Sequence, residues 1–504
     1  MKITQRIRIK FFAVGLLLAL ISCLAGTGMA QGQAPATGPA GQSVKGAVMK
    51  GKAPVNKQLL KVKLPRAQEA TLANGLRVIV LESHKVPTFN MQLVVMSGGL
   101  SDPADYRGLA SFTASLLREG TAKRSSKDIA EQMDALGGTL TSNAGLSTLT
   151  STVSTSGLIE NLDPTLDIFA DVIRNPIFPA AEADKYKART MAQLQFQRSN
   201  PQFLAQEQFS RAIYGDHPGA LLTAPVASIK RISTKDLAGF HSTYYRPNNS
   251  ILAIVGDVTL KDMLPRLEKV FGDWQKADVP ATTIPAAPPQ AASQILLVDR
   301  PGSAQTVLQL GTLGIERTSP DYFSLLLADR ILGGGPAARL FMNLREDKGY
   351  TYGAYSNFGG SKFRGTWTSS SSVRTDVTDG AMKEFMYELK RLRDEKAGVE
   401  ELENAKRAIV GSFALSLEQP QTLLQNIILQ KIYDLPADYW DTFPQKVAAI
   451  TTDDVQRVAQ KYIDLGHLQV VAVGDASKTR EILAKYGTVE VFDADGKPVS
   501  GGRN

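Results

Sequence analysis

Residues 233–245 read STKDLAGFHSTYY and residues 251–257 read ILAIVGD; residues 451–463 read TTDDVQRVAQKYI and residues 468–475 read LQVVAVGD. A single shift of 218 residues lays Ser233 on Thr451, Asp236 on Asp454, Tyr244 on Tyr462 and Gly256-Asp257 on Gly474-Asp475. Each copy opens on a hydroxyl residue three places ahead of an aspartate, the pattern of an N-capped helix. Each then enters a short apolar run of buried-strand character that ends in Gly-Asp. A further helix is expected after each strand, over 260–271 and 477–486. A constant offset across helix, tyrosine and strand end makes the chain a tandem duplication.

Working outward, the Pro/Ala-rich stretch VPATTIPAAPPQAA (279–292) separates the two copies. The expected organisation is a first domain over 63–276, a linker over 277–293, a second domain over 294–490 and a tail over 491–504. Strand composition marks 76–81, 90–96, 139–144 and 147–155 in the first domain, and 294–298, 306–310, 351–358 and 365–373 in the second. Helical patterns fall at 108–118, 159–174 and 180–198, then at 322–332, 379–396 and 399–417. Strands in adjacent groups separated by helices predict the α+β class, with two duplicated domains that each pack an antiparallel sheet against helices.

The N-terminal 30 residues read as an export leader. Lys2, Arg6, Arg8 and Lys10 precede a 14-residue apolar run, Phe11 to Leu24, too short for a membrane span. Two processing routes stand: cleavage after Ala30, or lipidation of Cys23 within Leu20-Ile21-Ser22-Cys23, which resembles a bacterial lipobox. Either puts the protein outside the cytoplasm, in the periplasm or secreted, with the membrane touched only through a lipid on Cys23. Residues 31–62, rich in Gly, Pro, Ala, Gln and Lys, read as a flexible tether. The 504 residues carry 57 basic and 49 acidic side chains, a net +8. Without the leader the excess falls to +4, so charge implies no nucleic-acid partner. Cys23 is the only cysteine, which excludes a disulfide framework and cysteine-based metal sites.

The run GLASFTASLLREGT (108–121) resembles the signature helix of the pitrilysin/insulinase zinc peptidases. Asn74-Gly75-Leu76, Asn175-Pro176-Ile177-Phe178-Pro179, Tyr214-Gly215-Asp216-His217-Pro218, Tyr245-Arg246-Pro247-Asn248-Asn249 and Leu344-Arg345-Glu346-Asp347-Lys348-Gly349 extend the resemblance over about residues 64–487. It is similar above all to mitochondrial processing peptidase and its bacterial relatives, and implies the metallopeptidase-like α/β roll in each half. Active members carry His-x-x-Glu-His, two zinc-binding imidazoles flanking a carboxylate that works on the bound water. Here the matching positions are Ser111, Ala114 and Ser115, which share one helix face but supply hydroxyls and a methyl. Arg118 follows on the same stripe. The family's third ligand is a downstream glutamate, and the matching helix has none between Ala183 and Gln206, with Ala192 and Gln193 near the expected place. No metal is therefore expected in this chain. His84, His217, His241 and His467 lack ligand spacing and read as exposed or hydrogen-bonded residues.

In the family's second domain an arginine and a tyrosine seven residues apart bind substrate near the zinc of the first. Arg345 and Tyr352 stand at that spacing, with Tyr350 and Tyr355 as nearby alternatives that read rather as packing residues. A guanidinium pairs with peptide carbonyls, and a phenol donates a hydrogen bond to a developing oxyanion. Gly333-Gly334-Gly335 lacks the remainder of a phosphate loop and reads as a helix C-terminal turn using left-handed glycine; the resemblance adds a peptide contact. A chain that keeps the pair and lacks the ligands resembles the non-catalytic member of two-subunit peptidases. The expected function is a peptide-binding subunit that supplies Arg345 and Tyr352 in trans to a zinc-bearing paralogue, with unstructured peptides as substrates. A peptide-binding or structural scaffold without proteolysis is the second reading. The missing ligands argue against an autonomous zinc peptidase.

Overall fold

The computed structural model describes residues 62–499. The leader with Cys23, the tether through residue 61 and the last five residues lie outside them. In the first domain the elements are β1 (Gln68–Thr71), β2 (Arg77–Glu82), β3 (Thr88–Val95), α1 (Leu109–Leu116), α2 (Ser126–Ala135), β4 (Thr139–Ala144), β5 (Ser151–Leu158), α3 (Leu162–Arg174), α4 (Ala180–Gln197), α5 (Pro201–Tyr214), α6 (Val226–Arg231), α7 (Thr234–Tyr244), β6 (Ser250–Gly256) and α8 (Leu260–Phe271). The second domain has β7 (Gln294–Asp299), β8 (Gln305–Leu313), α9 (Tyr322–Leu332), α10 (Arg339–Phe341), β9 (Thr351–Phe358), β10 (Thr366–Arg374), α11 (Thr378–Asp394), α12 (Val399–Ser416), α13 (Pro420–Ile432), α14 (Phe443–Ala449), α15 (Thr452–Tyr462), β11 (Gln469–Gly474), α16 (Ala476–Leu483) and β12 (Val489–Phe492).

The duplication holds down to single hydrogen bonds. Ser233 and Thr451 each accept from the backbone N–H three residues on, and Asp236 and Asp454 return the bond to the cap, so both repeat helices start on a capping box. The strands that follow, β6 and β11, are buried along their whole length. Sheet orders are β1-β2-β6-β3-β5-β4 and β12-β7-β11-β8-β10-β9, so five strands of each sheet occupy equivalent places. The sheets are mixed. β6 runs parallel to β2, and β11 parallel to β7, while the other inner neighbours are antiparallel. Each of these parallel partners returns after an excursion of well over 100 residues that includes three further strands and several helices, beyond the reach of a local pattern. β12 pairs with β7 and buries Phe492, which carries the second domain past residue 490.

One face of each sheet packs on its own domain's helices. The other receives a helix from the opposite domain. Leu204, Phe209 and Ile213 of α5 pack with Val298, Val307, Leu313 and Val471 of the second sheet. Reciprocally, Leu424, Ile428 and Ile432 of α13 pack with Ile79, Leu81, Ile251 and Val255 of the first. Gly311 makes room for the first contact, since a Cβ there would lie 2.8 Å from the Phe209 ring. Polar pairs pin the same seats: Gln202 Nε2 donates to Ser372 Oγ at 3.2 Å, and Gln425 Nε2 donates to Gln92 Oε1. The linker joins this seam, where His217 Nε2 donates to the Pro285 carbonyl at 3.0 Å and Tyr214 Oη donates to the Arg364 carbonyl at 2.9 Å.

The repeat tyrosine of the second domain has its own task. Tyr462 Oη donates to Asp321 Oδ2 at 2.6 Å, with Arg457 at 2.7 Å and Lys461 at 3.0 Å, which ties α15 to the start of α9. Burial would raise the Asp321 pKa, but the Tyr462 hydroxyl and the two cations outweigh it and hold the carboxyl at about 2.

Two outcomes are expected. Phe209→Ala should cost about 3–5 kcal/mol in urea unfolding, because it opens a cavity in the seam between domains; a loss under about 1 kcal/mol contradicts the exchanged-helix packing. Asp321→Asn should lower stability at neutral pH. The folded carboxyl titrates below its unfolded value of about 3.9, so the gap between wild type and variant should close as pH falls from about 4 towards 2. A pH-independent gap would mean that the carboxylate charge plays no part.

Candidate functional site

α1 carries the degenerate motif. Its entry is fixed by Asp102, whose carboxylate accepts from the N–H groups of Gly108 at 2.7 Å and Ala110 at 2.8 Å. Burial pushes the Asp102 carboxyl up to about 7 although these backbone donors oppose it. Ala114 is fully buried, while Ser111 and Ser115 are half-buried on the same face. Tyr186 of α4 donates its hydroxyl to Ser115 Oγ at 2.9 Å and sets its ring edge-on against Phe112, centroids 4.7 Å apart. The Arg189 guanidinium lies 5.1 Å from the Tyr186 ring. Arg118 donates to the Leu140 carbonyl on β4 at 3.1 Å, and Ala192 and Gln193 are exposed further along α4.

This donor set does not fit a zinc ion. Neutral hydroxyls replace both imidazoles, a methyl replaces the carboxylate base, a tyrosine occupies one hydroxyl, and the Arg189 guanidinium lies over that tyrosine. Among the described residues, no three His, Cys, Asp or Glu side chains gather as a metal cluster. The four histidines are held elsewhere. His84 bonds Asp257 at 2.6 Å, His467 bonds Asp464 at 2.7 Å, and His217 serves the linker seam. His241 donates to the Ile173 carbonyl at 2.7 Å, with burial lowering its pKa to about 4.

In the second domain, α10 continues into a π-helix, Met342–Asp347, that carries Arg345. This rare wide turn is common at functional sites and has no sequence signature. The Arg345 guanidinium stacks 4.7 Å from the buried Phe341 ring and sits 3.6 Å from the Glu346 carboxylate, with its side chain 41% exposed. The chain leaves the π-helix through Gly349, whose φ of +63° suits glycine, and enters the edge strand β9. There Ala354 faces Ser371 and Thr351 faces Val373, so Tyr352 and Gly353 together oppose Ser372 alone. That is a β-bulge, which re-aims the side chains it carries. Tyr352 is accordingly 70% exposed.

The glycine loop after α9 runs beside the same strand. Gly333 accepts from Ser356 N–H at 3.1 Å, and Arg330 Nη1 donates to the Gly334 carbonyl. The left-handed expectation fails, because Gly333 has φ −156° and none of the three is at positive φ. Close approach is the reason for glycine: a Cβ would lie 2.2 Å from Ser356 N at Gly333, and 2.8 Å from Arg330 at Gly334 and at Gly335. The structure thus gathers Arg345, Tyr352 and the glycine loop at one sheet edge of the second domain, while Ser111, Ala114 and Ser115 lie in the first. Sequence reasoning missed Tyr186 and Phe341, whose roles come only from tertiary packing, and treated Tyr355 as a packing residue.

Residues 77–225 match the family model for insulinase (peptidase family M16), and residues 231–409 match that for the peptidase M16 inactive domain. The uncharacterized zinc protease YmxG of Bacillus subtilis is 25% identical over 349 residues, 69% of this chain and 84% of its own. An uncharacterized zinc protease of Streptomyces coelicolor is 24% identical over 402 residues, 78% of this chain and 86% of its own. A crystal structure described as a peptidase M16 inactive domain from Pseudomonas fluorescens aligns at TM-score 0.75 and 28% identity, over 81% of this chain and 98% of that one. A protease from Helicobacter pylori, at 19% identity, shares the fold at TM-score 0.75 over 82% of this chain and all of its own.

Tyr186→Phe should remove only the bond to Ser115 and keep the Phe112 contact. The expected loss is about 0.5–1.5 kcal/mol in urea unfolding, and no measurable loss would mean that water satisfies Ser115 equally well.

Proposed function

Since the chain belongs to the insulinase (M16) peptidase family, we propose that it is a non-catalytic, peptide-binding subunit that completes the active site of a zinc-bearing paralogue. The observation that carries this reading is the contrast between its two halves. The zinc positions hold Ser111, Ala114 and Ser115 with Tyr186 bonded into them. Arg345 and Tyr352 remain accessible, one on a π-helix and one on a bulge.

The division of labour follows from residue chemistry. The partner supplies the metal; no step of this chain runs through one. Arg345, stacked on Phe341, keeps its outer N–H groups for peptide carbonyls and so orients the chain of the substrate. The Tyr352 phenol donates to the oxygen that gains charge as the scissile carbonyl is attacked. The loop Gly333-Gly334-Gly335 offers backbone close by for a further peptide contact. The reading includes export to the periplasm or beyond, through cleavage after Ala30 or a lipid on Cys23, and includes no nucleic-acid partner.

The test is reconstitution with a paralogue that carries an intact His-x-x-Glu-His motif. Tyr352→Phe removes one donor and keeps the ring; Arg345→Ala removes the cation. Loss of one preorganised oxyanion donor costs about 10²–10³ in turnover. Both mixed complexes should assemble with unchanged zinc content and lose most peptidase activity. Wild-type turnover in both variants would remove the trans-acting role and leave the scaffold reading in its place.

A further inference from the structure

The same sheet edge holds another aromatic group that the pair does not account for. Tyr355 faces Ser370 across the strand pair and is 45% exposed, although its ring is fixed on two sides. The Phe341 ring, which carries Arg345 on its face, lies 5.7 Å from the Tyr355 ring at a tilt of 51°. Gly353 forms the second support: a Cβ there would meet Cε2 of Tyr355 at 2.6 Å and its hydroxyl oxygen at 2.8 Å. The Tyr355 ring is therefore folded back along β9 over the glycine, with its hydroxyl next to the bulge that turns out Tyr352. An open ring face remains. Its nearest neighbours on that face, Asn357 on β9 and Thr368, Ser370 and Ser372 on β10, are uncharged, and Arg374 stands at the far end of the same β10 face. The exchanged helix α5 packs its apolar residues against β7, β8 and β11 and reaches β10 through the Gln202–Ser372 hydrogen bond, and Tyr355, Asn357 and Ser370 beside it stay exposed.

We propose that Tyr355 is a third substrate contact, and that it selects peptides bearing an aromatic side chain next to the backbone segment held by Arg345. The inference rests on the reading of Arg345 and Tyr352 above and adds the substrate class. An exposed ring backed by Phe341 and a glycine notch is already ordered, so a stacking side chain gains contact without having to order it. Offset or edge-to-face aromatic pairs are favoured over other apolar pairs of equal area, whereas an aspartate or lysine set against the ring would lose water there, the cations Arg345 and Arg374 being already paired with Glu346 and Asp376.

The experiment uses the purified full chain and fluorescein-labelled unstructured Gly/Ser/Gln peptides that differ at one central residue: Phe, Ala or Asp. Binding is read by fluorescence anisotropy. Wild type should prefer the Phe peptide by about tenfold, the scale of one aromatic contact. Tyr355→Ala should abolish that preference while leaving the Ala peptide within about twofold, and Tyr355→Phe should restore it. Arg345→Ala should weaken all three peptides alike. Equal weakening of all peptides by Tyr355→Ala, or no change, overturns the assignment while the Arg345 result stands by itself. Failure of wild type to bind any of the peptides overturns both readings together.

Discussion

The seating of one apolar helix from each domain on the far face of the other domain's sheet is the constraint from which the rest of the architecture follows. A sheet buried on one side only would expose the run ILAIVG along β6 and VVAVG along β11, both apolar at every position. α13 and α5 cover those strands. Burying a side chain such as Phe209 or Ile428 stabilises by about 1.5–3 kcal/mol each, so the seam holds the two domains as one body. Neither helix is long enough to cover a whole six-stranded sheet. Its apolar residues pack on three adjacent strands (β2, β6 and β3; β7, β11 and β8), while the two strands beyond them at one margin (β5 and β4; β10 and β9) take none of these contacts, and β5 and β10 alternate accordingly. STVSTSGL on β5 and TWTSSSSVR on β10 bury one face and turn hydroxyls to the other. The uncovered margin of the second sheet is where Tyr352 and Tyr355 stand.

Duplication gave both halves the same frame, and the two then diverged at the level of single side chains. In the first domain the helix that could hold a metal is satisfied internally, by Tyr186 on Ser115 and by Asp102 on the helix entry. In the second, two irregularities that cost regular hydrogen bonds, a π-helix and a bulge, both serve to present side chains outward. Local irregularity is retained where it directs Arg345 and Tyr352 and is absent from the matching stretch of the first domain, where α2 is a regular α-helix and β4 pairs with β5 without a bulge.

Much of the fold was legible because it is local. The 218-residue offset, the caps at Ser233 and Thr451, and the strand runs 139–144 and 351–358 depend on near neighbours, and the helices appear within a few residues of their expected bounds. Four-residue strands such as β1 and β12 carry too little pattern to be read. The parallel pairing of β6 with β2 joins segments too far apart for any window. α5 and α13 could not be placed, since a helix that packs on another domain shows the same periodicity as one that packs on its own. At the site, Arg345 and Tyr352 came from residue spacing and resemblance, while Phe341 and the Tyr355–Gly353 stack required coordinates. The glycine loop was found for the wrong reason: it avoids a clash with β9 and Arg330 and makes no left-handed turn.

The central claim is that metal chemistry and substrate contacts reside on different chains, and zinc stoichiometry tests it most directly. Native mass spectrometry on this chain alone, on the paralogue alone and on their complex would assign the metal to its owner. The account predicts a metal-free mass for this chain, and one zinc in the complex that disappears when the paralogue's histidines are replaced and persists when Arg345 and Tyr352 are. One zinc retained by this chain alone, with peptide cleavage that a chelator abolishes, would contradict it.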